Sequence, residues 1–249
     1  MRLCSRIGAL CIAIAASSAA AQEARKFAAL SIVGDRMLIV NHVAETGTRV
    51  DRDRRDVLDM PPRALDNAVL GAVDAAIKRT SPGSEVMMLA ATPPLFAAQG
   101  PAVEDPDVRP VVELLKPALE KAGVARLVVV TKVRHEAMLR FADGYVGSGK
   151  LEGLGFYLDH QLMTETKGGG DLGRGFIAPF AYFRVALVDV ARGEVLRQKD
   201  VLASQAVGAG RSPSLRVWEA LSATEKVRMV VGIARKEAAD AVQELLTQP

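Results

Sequence analysis

The chain has 249 residues, 49% of them hydrophobic, and a formal net charge of +3. Arg2 and Arg6 supply most of that excess: residues 22–249 carry 30 basic and 29 acidic side chains, and a near-neutral chain without a concentrated basic patch argues against nucleic acid as a partner. Both cysteines, Cys4 and Cys11, precede residue 22; the rest, about 228 residues, is long enough for one domain with a substantial core and has no disulfide, thiol nucleophile or thiolate metal site.

Residues 1–21 read as a secretory signal peptide. Arg2 and Arg6 give the positive start, Ile7–Ala16 the short apolar run, and Ala19-Ala20-Ala21 an A-x-A cleavage site before Gln22. The run is short for a membrane span. Leu10 stands where lipidation of Cys11 would need a small residue, and the apolar run continues past Cys11. The expectation is a periplasmic chain over 22–249, cleaved near Ala21, with no transmembrane span.

Two apolar runs follow, Lys26–Val33 and Arg36–Val43, separated by Gly34-Asp35. A glycine first in a two-residue connection predicts a tight hairpin. The charged stretch Ala44–Asp59, with alternating signs over Asp51–Asp56, predicts a solvated loop. Asp59-Met60-Pro61-Pro62 then opens a helix, with Asp59 or a neighbour as cap. Its stripe is Leu65, Val69, Val73 and Ile77, flanked by alanines that permit close packing on a sheet. Glu85–Ala91 is a short buried strand that Pro93-Pro94 stops. A second helix spans about 107–122, kinked at Pro117 and ended by Gly123. The valine-rich run Ala125–Val133 implies a central strand covered on both faces.

His135–Asp143 fits a short helix or an extended segment. Lys150–Asp159 predicts a strand weakened by Gly153 and Gly155, and Met163–Gly175 a mobile glycine loop around Gly168, Gly169 and Gly170. The clearest element is the hairpin Phe176–Ser204, expected at the middle of the sheet. Ile177, Ala181, Phe183, Val185 and Leu187 alternate along one strand face. Phe180, Tyr182, Arg184, Ala186 and Val188 form a mixed face that requires a helix or another layer over it. After a turn at Gly193, the polar return Glu194–Ser204 suits a protected edge. Val207–Leu221 is an irregular connection. Ser222-Ala223-Thr224-Glu225 is a capping box for a helix running to the end, with Val231 and Val242 on its buried stripe and Arg235 and Glu244 facing water.

No catalytic constellation stands out. Gly144–Lys150 matches G-x-x-x-x-G-K, but Leu151 replaces the Ser or Thr of a phosphate loop and a strand follows where a helix is needed. His135-Glu136 begins H-E-x-x-H, but Leu139 replaces the second histidine; His42 and His160 have no ligand cluster in sequence. Gly34-Asp35-Arg36 resembles the GDS block of SGNH-type hydrolases over three residues, with arginine in the nucleophile's place. Neither a metal nor a cofactor is expected. Eight of the eleven aromatics fall between Phe141 and Phe183, among dense glycine. They fill a core, or they form a binding surface for which Gly168, Gly169, Gly170, Arg174, Tyr157 and Tyr182 are the candidate residues.

This order of elements predicts one α/β domain with a mixed sheet, packed helices and a long C-terminal helix. With the hairpin Phe176–Ser204 followed by Ser222–Leu246 behind a secretory leader, the chain resembles the small α/β domain of the curli-secretion lipoprotein and the amino-terminal domain of the Tol-system periplasmic protein. The resemblance implies a binding or assembly role in the bacterial envelope, with a protein or peptide partner. A hydrolase with an atypical site and a small-ligand binder using residues 141–183 are the alternatives.

Overall fold

The computed structural model describes residues 25–42, 53–141, 144–165, 172–208 and 217–248. The expected signal peptide lies outside the described residues, as do residues 166–171 of the expected loop Met163–Gly175; its two flanks are strand rather than loop, paired from Leu172↔Glu165 to Arg174↔Met163. The strands are β1 (Lys26–Ile32), β2 (Arg36–Asn41), β3 (Arg54–Asp59), β4 (Glu85–Leu89), β5 (Arg126–Lys132), β6 (Arg134–Glu136), β7 (Leu139–Phe141), β8 (Gly144–Val146), β9 (Lys150–Glu165), β10 (Leu172–Asp189), β11 (Glu194–Ser204) and β12 (Val207–Gly208). The helices are α1 (Ala64–Thr80), α2 (Pro93–Gln99), α3 (Arg109–Lys121) and α4 (Ala223–Thr247). They form a single α/β domain on a mixed sheet. No helix among the described residues is long and apolar enough to cross a membrane.

β10 is the spine. One of its sides carries β12 at Phe176–Ile177 and β11 at Phe180–Asp189. The other carries β9 up to Tyr182 and β5 from Phe183 onward. β9 and β5 therefore lie end to end. β1 pairs in parallel with β5, and β2 in parallel with β9, so β1 and β2 also lie end to end. β4 flanks β1, and β3 flanks β2.

That arrangement corrects the expected hairpin at Gly34-Asp35. Gly34 does take a positive φ of 76°, but it serves a break in one line of chain rather than a turn. The amides that leave the ladder are satisfied from α1. Asp66 Oδ1 accepts from Ser31 Oγ at 2.7 Å, Val33 N at 2.9 Å and Gly34 N at 3.3 Å. Burial pushes the Asp66 carboxyl above its ordinary range, against the pull of those hydrogen bonds.

Other boundaries differ from expectation. The charged run 54–59 is a strand rather than a loop, paired with β2 from Arg36↔Asp59 to Asn41↔Arg54. Asp59 ends that strand and does not cap α1, whose N-cap position is Arg63 at φ 63° with no side-chain cap bond. Pro93-Pro94 stops β4 and also begins α2, since the missing proline amides fall where a helix has no intrahelical acceptor. α3 continues through Pro117. Within 207–221 lie β12 and a 3-10 turn, Val217–Ala220, whose Trp218 meets Phe156 edge-on at 5.3 Å.

The two faces of β10 are packed differently. Ile177, Ala181, Phe183, Val185 and Leu187 join the core beneath α1 and α4. On the other face, Ala186 and Val188 lie under α2 and α3, whereas Phe180 and Tyr182 lie under a β layer that includes β6, β7 and β8. The polar strand β11 bonds into both layers. Arg197 donates to Leu245 O at 2.9 Å, Lys199 pairs with Glu244, and Asp200 pairs with Arg184.

α4 has the expected capping box, with both reciprocal bonds between Ser222 and Glu225. Val242 is buried and Arg235 exposed, as its stripe required. Glu244 differs, since it is half-buried against Lys199, and Val231 is only partly buried. The fully buried residue in that turn is Val230. Val230→Asp will therefore strand an unpaired charge in the core and cost about 3–5 kcal/mol. Val231→Asp, at a half-open position, will cost about 1 kcal/mol. Urea denaturation of the two variants checks the assignment; equal losses would mean that the helix is rotated.

Candidate functional site

The chain leaves β5, pairs β6 with the start of β9 (His135↔Leu151), runs out along β7 and returns along β8 through Gly147-Ser148-Gly149. Residues 134–141 and 144–149 thus form a flap over β9 and β10. Gly147 has a φ of 122°, and a Cβ there would sit 3.0 Å from Ala137, so the return leg packs directly on the outgoing one. Beneath the flap lie Tyr157, Phe176, Phe180 and Tyr182. Phe141 meets Phe176 edge-on at 4.8 Å, and Tyr157 stacks on Phe176 at 5.9 Å.

The buried tyrosines hold the flap by their hydroxyls. Tyr182 Oη accepts from Met138 N at 2.8 Å and donates to Met138 O at 3.3 Å. Tyr157 Oη accepts from Ser148 N at 3.3 Å. Burial pushes both phenols up to about 12, so they stay neutral and serve as hydrogen-bonding groups. Ser204 of β11 adds a third tie, accepting from Arg140 N at 2.9 Å.

At the foot of the flap the fold collects a serine, a histidine and an aspartate. His42 follows β2, Asp53 precedes β3, and Ser148 lies between β8 and β9. Asp53 Oδ1 is 2.9 Å from His42 Nδ1, and Ser148 Oγ is 3.0 Å from the same nitrogen. The His42 ring stacks on Tyr157 at 5.8 Å. Asp53 and His42 are nearly enclosed, with side-chain exposures of 5% and 18%. A hydrolytic triad needs the acid on one ring nitrogen and the nucleophile on the other. Here both oxygens converge on Nδ1. The ring therefore does not bridge acid and nucleophile through its two nitrogens as a triad does. Chemically the cluster ties the ends of β2 and β3 to the flap.

Of the candidate binding residues, Tyr157 and Tyr182 are fully buried and engaged as described, and Arg174 is exposed on β10. Gly168, Gly169 and Gly170 are outside the described residues. Gly149-Lys150 leads into β9, so no helix follows the G-x-x-x-x-G-K pattern. Arg36 begins β2 and pairs with Asp59 at 3.4 Å. His135 Nε2 lies 3.8 Å from Glu104, and His160 is exposed. The Ser148–His42 contact spans 106 positions, and no local motif announces it.

A cavity of about 270 Å³ opens at the far end of the sheet, where β1, β5, β11 and the C-terminal ends of α1 and α4 meet. Its walls include Arg25, Arg126, Arg197, Ser81 and Ser84 over an apolar floor of Phe27 and Leu245. Arg126 is paired with Asp189, and Arg197 caps the carbonyls that end α4.

No protein-family model and no curated protein matches the chain. Among solved structures it is similar to the PelC dodecamer of Paraburkholderia phytofirmans. A single-site variant of PelC is 10% identical, with 90% of this chain and 89% of that chain covered and a TM-score of 0.36. In a second crystal form PelC is 8% identical, with 91% and 89% covered and a TM-score of 0.36. The chain is also similar to the hypothetical protein CT253 of Chlamydia trachomatis, 11% identical, with 90% of this chain and 99% of that chain covered and a TM-score of 0.39.

Proposed function

We propose that the protein is a non-enzymatic binding or assembly factor of the bacterial envelope, acting in the periplasm on a protein or peptide partner. The observation that carries the non-enzymatic half is the geometry at His42. Where serine, histidine and aspartate meet, one ring nitrogen faces both oxygens, and the group acts as a structural tie. The leader-like pattern of Arg2, Arg6 and Ala19–Ala21 and the resemblance in element order to the curli and Tol domains support the envelope half.

The test is turnover by the exported chain on a panel of ester and peptide substrates, with Ser148→Ala alongside. The expected result is no difference between the two proteins, and a loss of about 1 kcal/mol of stability in the variant from the broken tie. Turnover that disappears in Ser148→Ala would overturn this reading in favour of a hydrolase. Crosslinking and pull-down from a periplasmic extract then addresses the partner. The cavity beside Arg25, Arg126 and Arg197 favours a second reading, a binder of a small acidic ligand. A thermal shift with short carboxylates, absent with the matching amines and lost in Arg25→Ala, would support it; identical melting curves throughout would eliminate it.

A further inference from the structure

The sheet has open outer strands on both sides, and their sequences differ in how they discourage pairing. An unpaired strand offers a row of amides and carbonyls to any other strand, and charged side chains are a common guard. β3 has four charges in six residues, Arg54, Arg55, Asp56 and Asp59. β11 carries Glu194, Arg197, Lys199 and Asp200. β4 has no such guard. After Glu85 its sequence is Val86-Met87-Met88-Leu89, followed by Ala90-Ala91, and Met88 is 58% exposed. Among the described residues β4 pairs only with β1, and no backbone hydrogen bond reaches it from its other side.

We infer that β4 is a self-association edge, and that its partner is β4 of a second copy of this chain, paired antiparallel about a two-fold axis through Met88. In this register the run sets no like charges against each other, since Glu85 is its one charged residue. With Met88 facing its own symmetry mate, Met87 faces Leu89, Val86 faces Ala90 and Glu85 faces Ala91. Each Glu85 keeps its Lys26 partner at 3.4 Å within its own copy. The two Glu85 carboxylates lie six strand steps apart, about 20 Å at the rise of a strand, beyond the screening length of about 8 Å at physiological salt. Pairing therefore buries an exposed methionine from each copy without opposing like charges, and the two sheets become one. The contact is isologous, so it closes as a dimer. A single short strand pair buries less than the roughly 1,200 Å² of a stable interface, so the dimer should be concentration-dependent. The inference deepens the binding reading by naming one partner, and it fails separately from that reading, because mass and turnover are independent measurements.

The test is sedimentation velocity on the exported chain from about 1 to 100 µM, a range set by an interface of this size. Wild type should shift toward twice the monomer mass as concentration rises. Met88→Lys, which opposes two ammonium groups on the axis, should remain monomeric at every concentration with an unchanged melting temperature. Leu196→Lys on β11 should still dimerise. Residues 22–249 contain no cysteine, so Met88→Cys should oxidise to a covalent dimer, as directly opposed residues of antiparallel strands lie within disulfide reach. Leu196→Cys should not. A wild-type chain that stays monomeric at the highest concentration overturns the inference. So does a dimer that persists in Met88→Lys, which would place the contact on another surface.

Discussion

Gly155→Ala will cost more than about 3 kcal/mol, the upper end of ordinary overpacking, a large share of the roughly 5–15 kcal/mol that holds a typical domain folded. The reason is the approach of β2. A Cβ on Gly155 would lie 1.9 Å from Leu38 O and 2.8 Å from both Leu38 C and Leu38 N. All three atoms are backbone, so no rotamer change relieves the contact. β2 would have to move by on the order of 1 Å while held by β3 on its other side. Gly71 provides the contrast. It is an exposed glycine inside α1 with nothing within 4 Å of its would-be Cβ, and Gly71→Ala should stabilise by about 0.5–1 kcal/mol through helix propensity alone. Paired denaturation curves check both signs. A Gly155→Ala protein as stable as its parent would mean that β2 and β9 are not in the register Leu38↔Gly155.

The glycines of β9 show where the sequence could be read and where it could not. Composition alone marks Gly153 and Gly155 as weak points in a strand. In the fold, Gly155 makes room for a neighbouring backbone, and Gly153, at φ 63°, sits where β5 gives way to β9 along β10. Nothing local distinguishes a weakening glycine from one that a distant strand requires. The same limit explains Gly34-Asp35, since a positive φ suits a hairpin and a break equally. The choice was made by Asp66, more than thirty positions away, which supplies the acceptors that a hairpin partner would have supplied.

Signals confined to one element were legible. The period-two face of Phe176–Asp189 packs as its alternation required, and the capping box at Ser222 forms both bonds. The mixed face of β10 was correctly read as needing a cover, but the cover is two different layers because the flap and α2–α3 reach different stretches of it. The charged strand β3 was illegible because a strand polar on both faces has no period to read; its register is set by β2. The polar foot at His42, Asp53 and Ser148 was illegible for the same reason of distance. Its three residues become neighbours only after β2 and β9 pair.

Arg184→Ala will destabilise the protein by about 3 kcal/mol, the low end of the range for removing one partner of a buried ion pair. Arg184 is 6% exposed on a face otherwise built of aromatic and aliphatic side chains. Its Nε and Nη2 hold both oxygens of Asp200 at 2.6 and 2.9 Å. Its Nη1 reaches Asp105 and, at 3.3 Å, the carbonyl of Pro106. One guanidinium thus ties β10 to β11 and both to the segment that leads into α3. The hydrogen bonds to Asp200 raise its pKa, against the effect of burial, so the group stays charged at every accessible pH. The two carboxylates are not equivalent. Asp105 is 84% exposed and returns to water when released, so Asp105→Ala should cost well under 1 kcal/mol. Asp200 is 34% exposed and remains against the sheet, so its unpaired charge supplies most of the loss in Arg184→Ala. Replacing both members, Arg184→Met with Asp200→Leu, removes that stranded charge and should recover more than half of the lost stability. Urea midpoints for the two single variants and the double variant decide the matter. A loss below about 1 kcal/mol in Arg184→Ala, or a double variant no better than the single, would show that the tie is a surface pair and that packing alone holds the 103–108 segment in place.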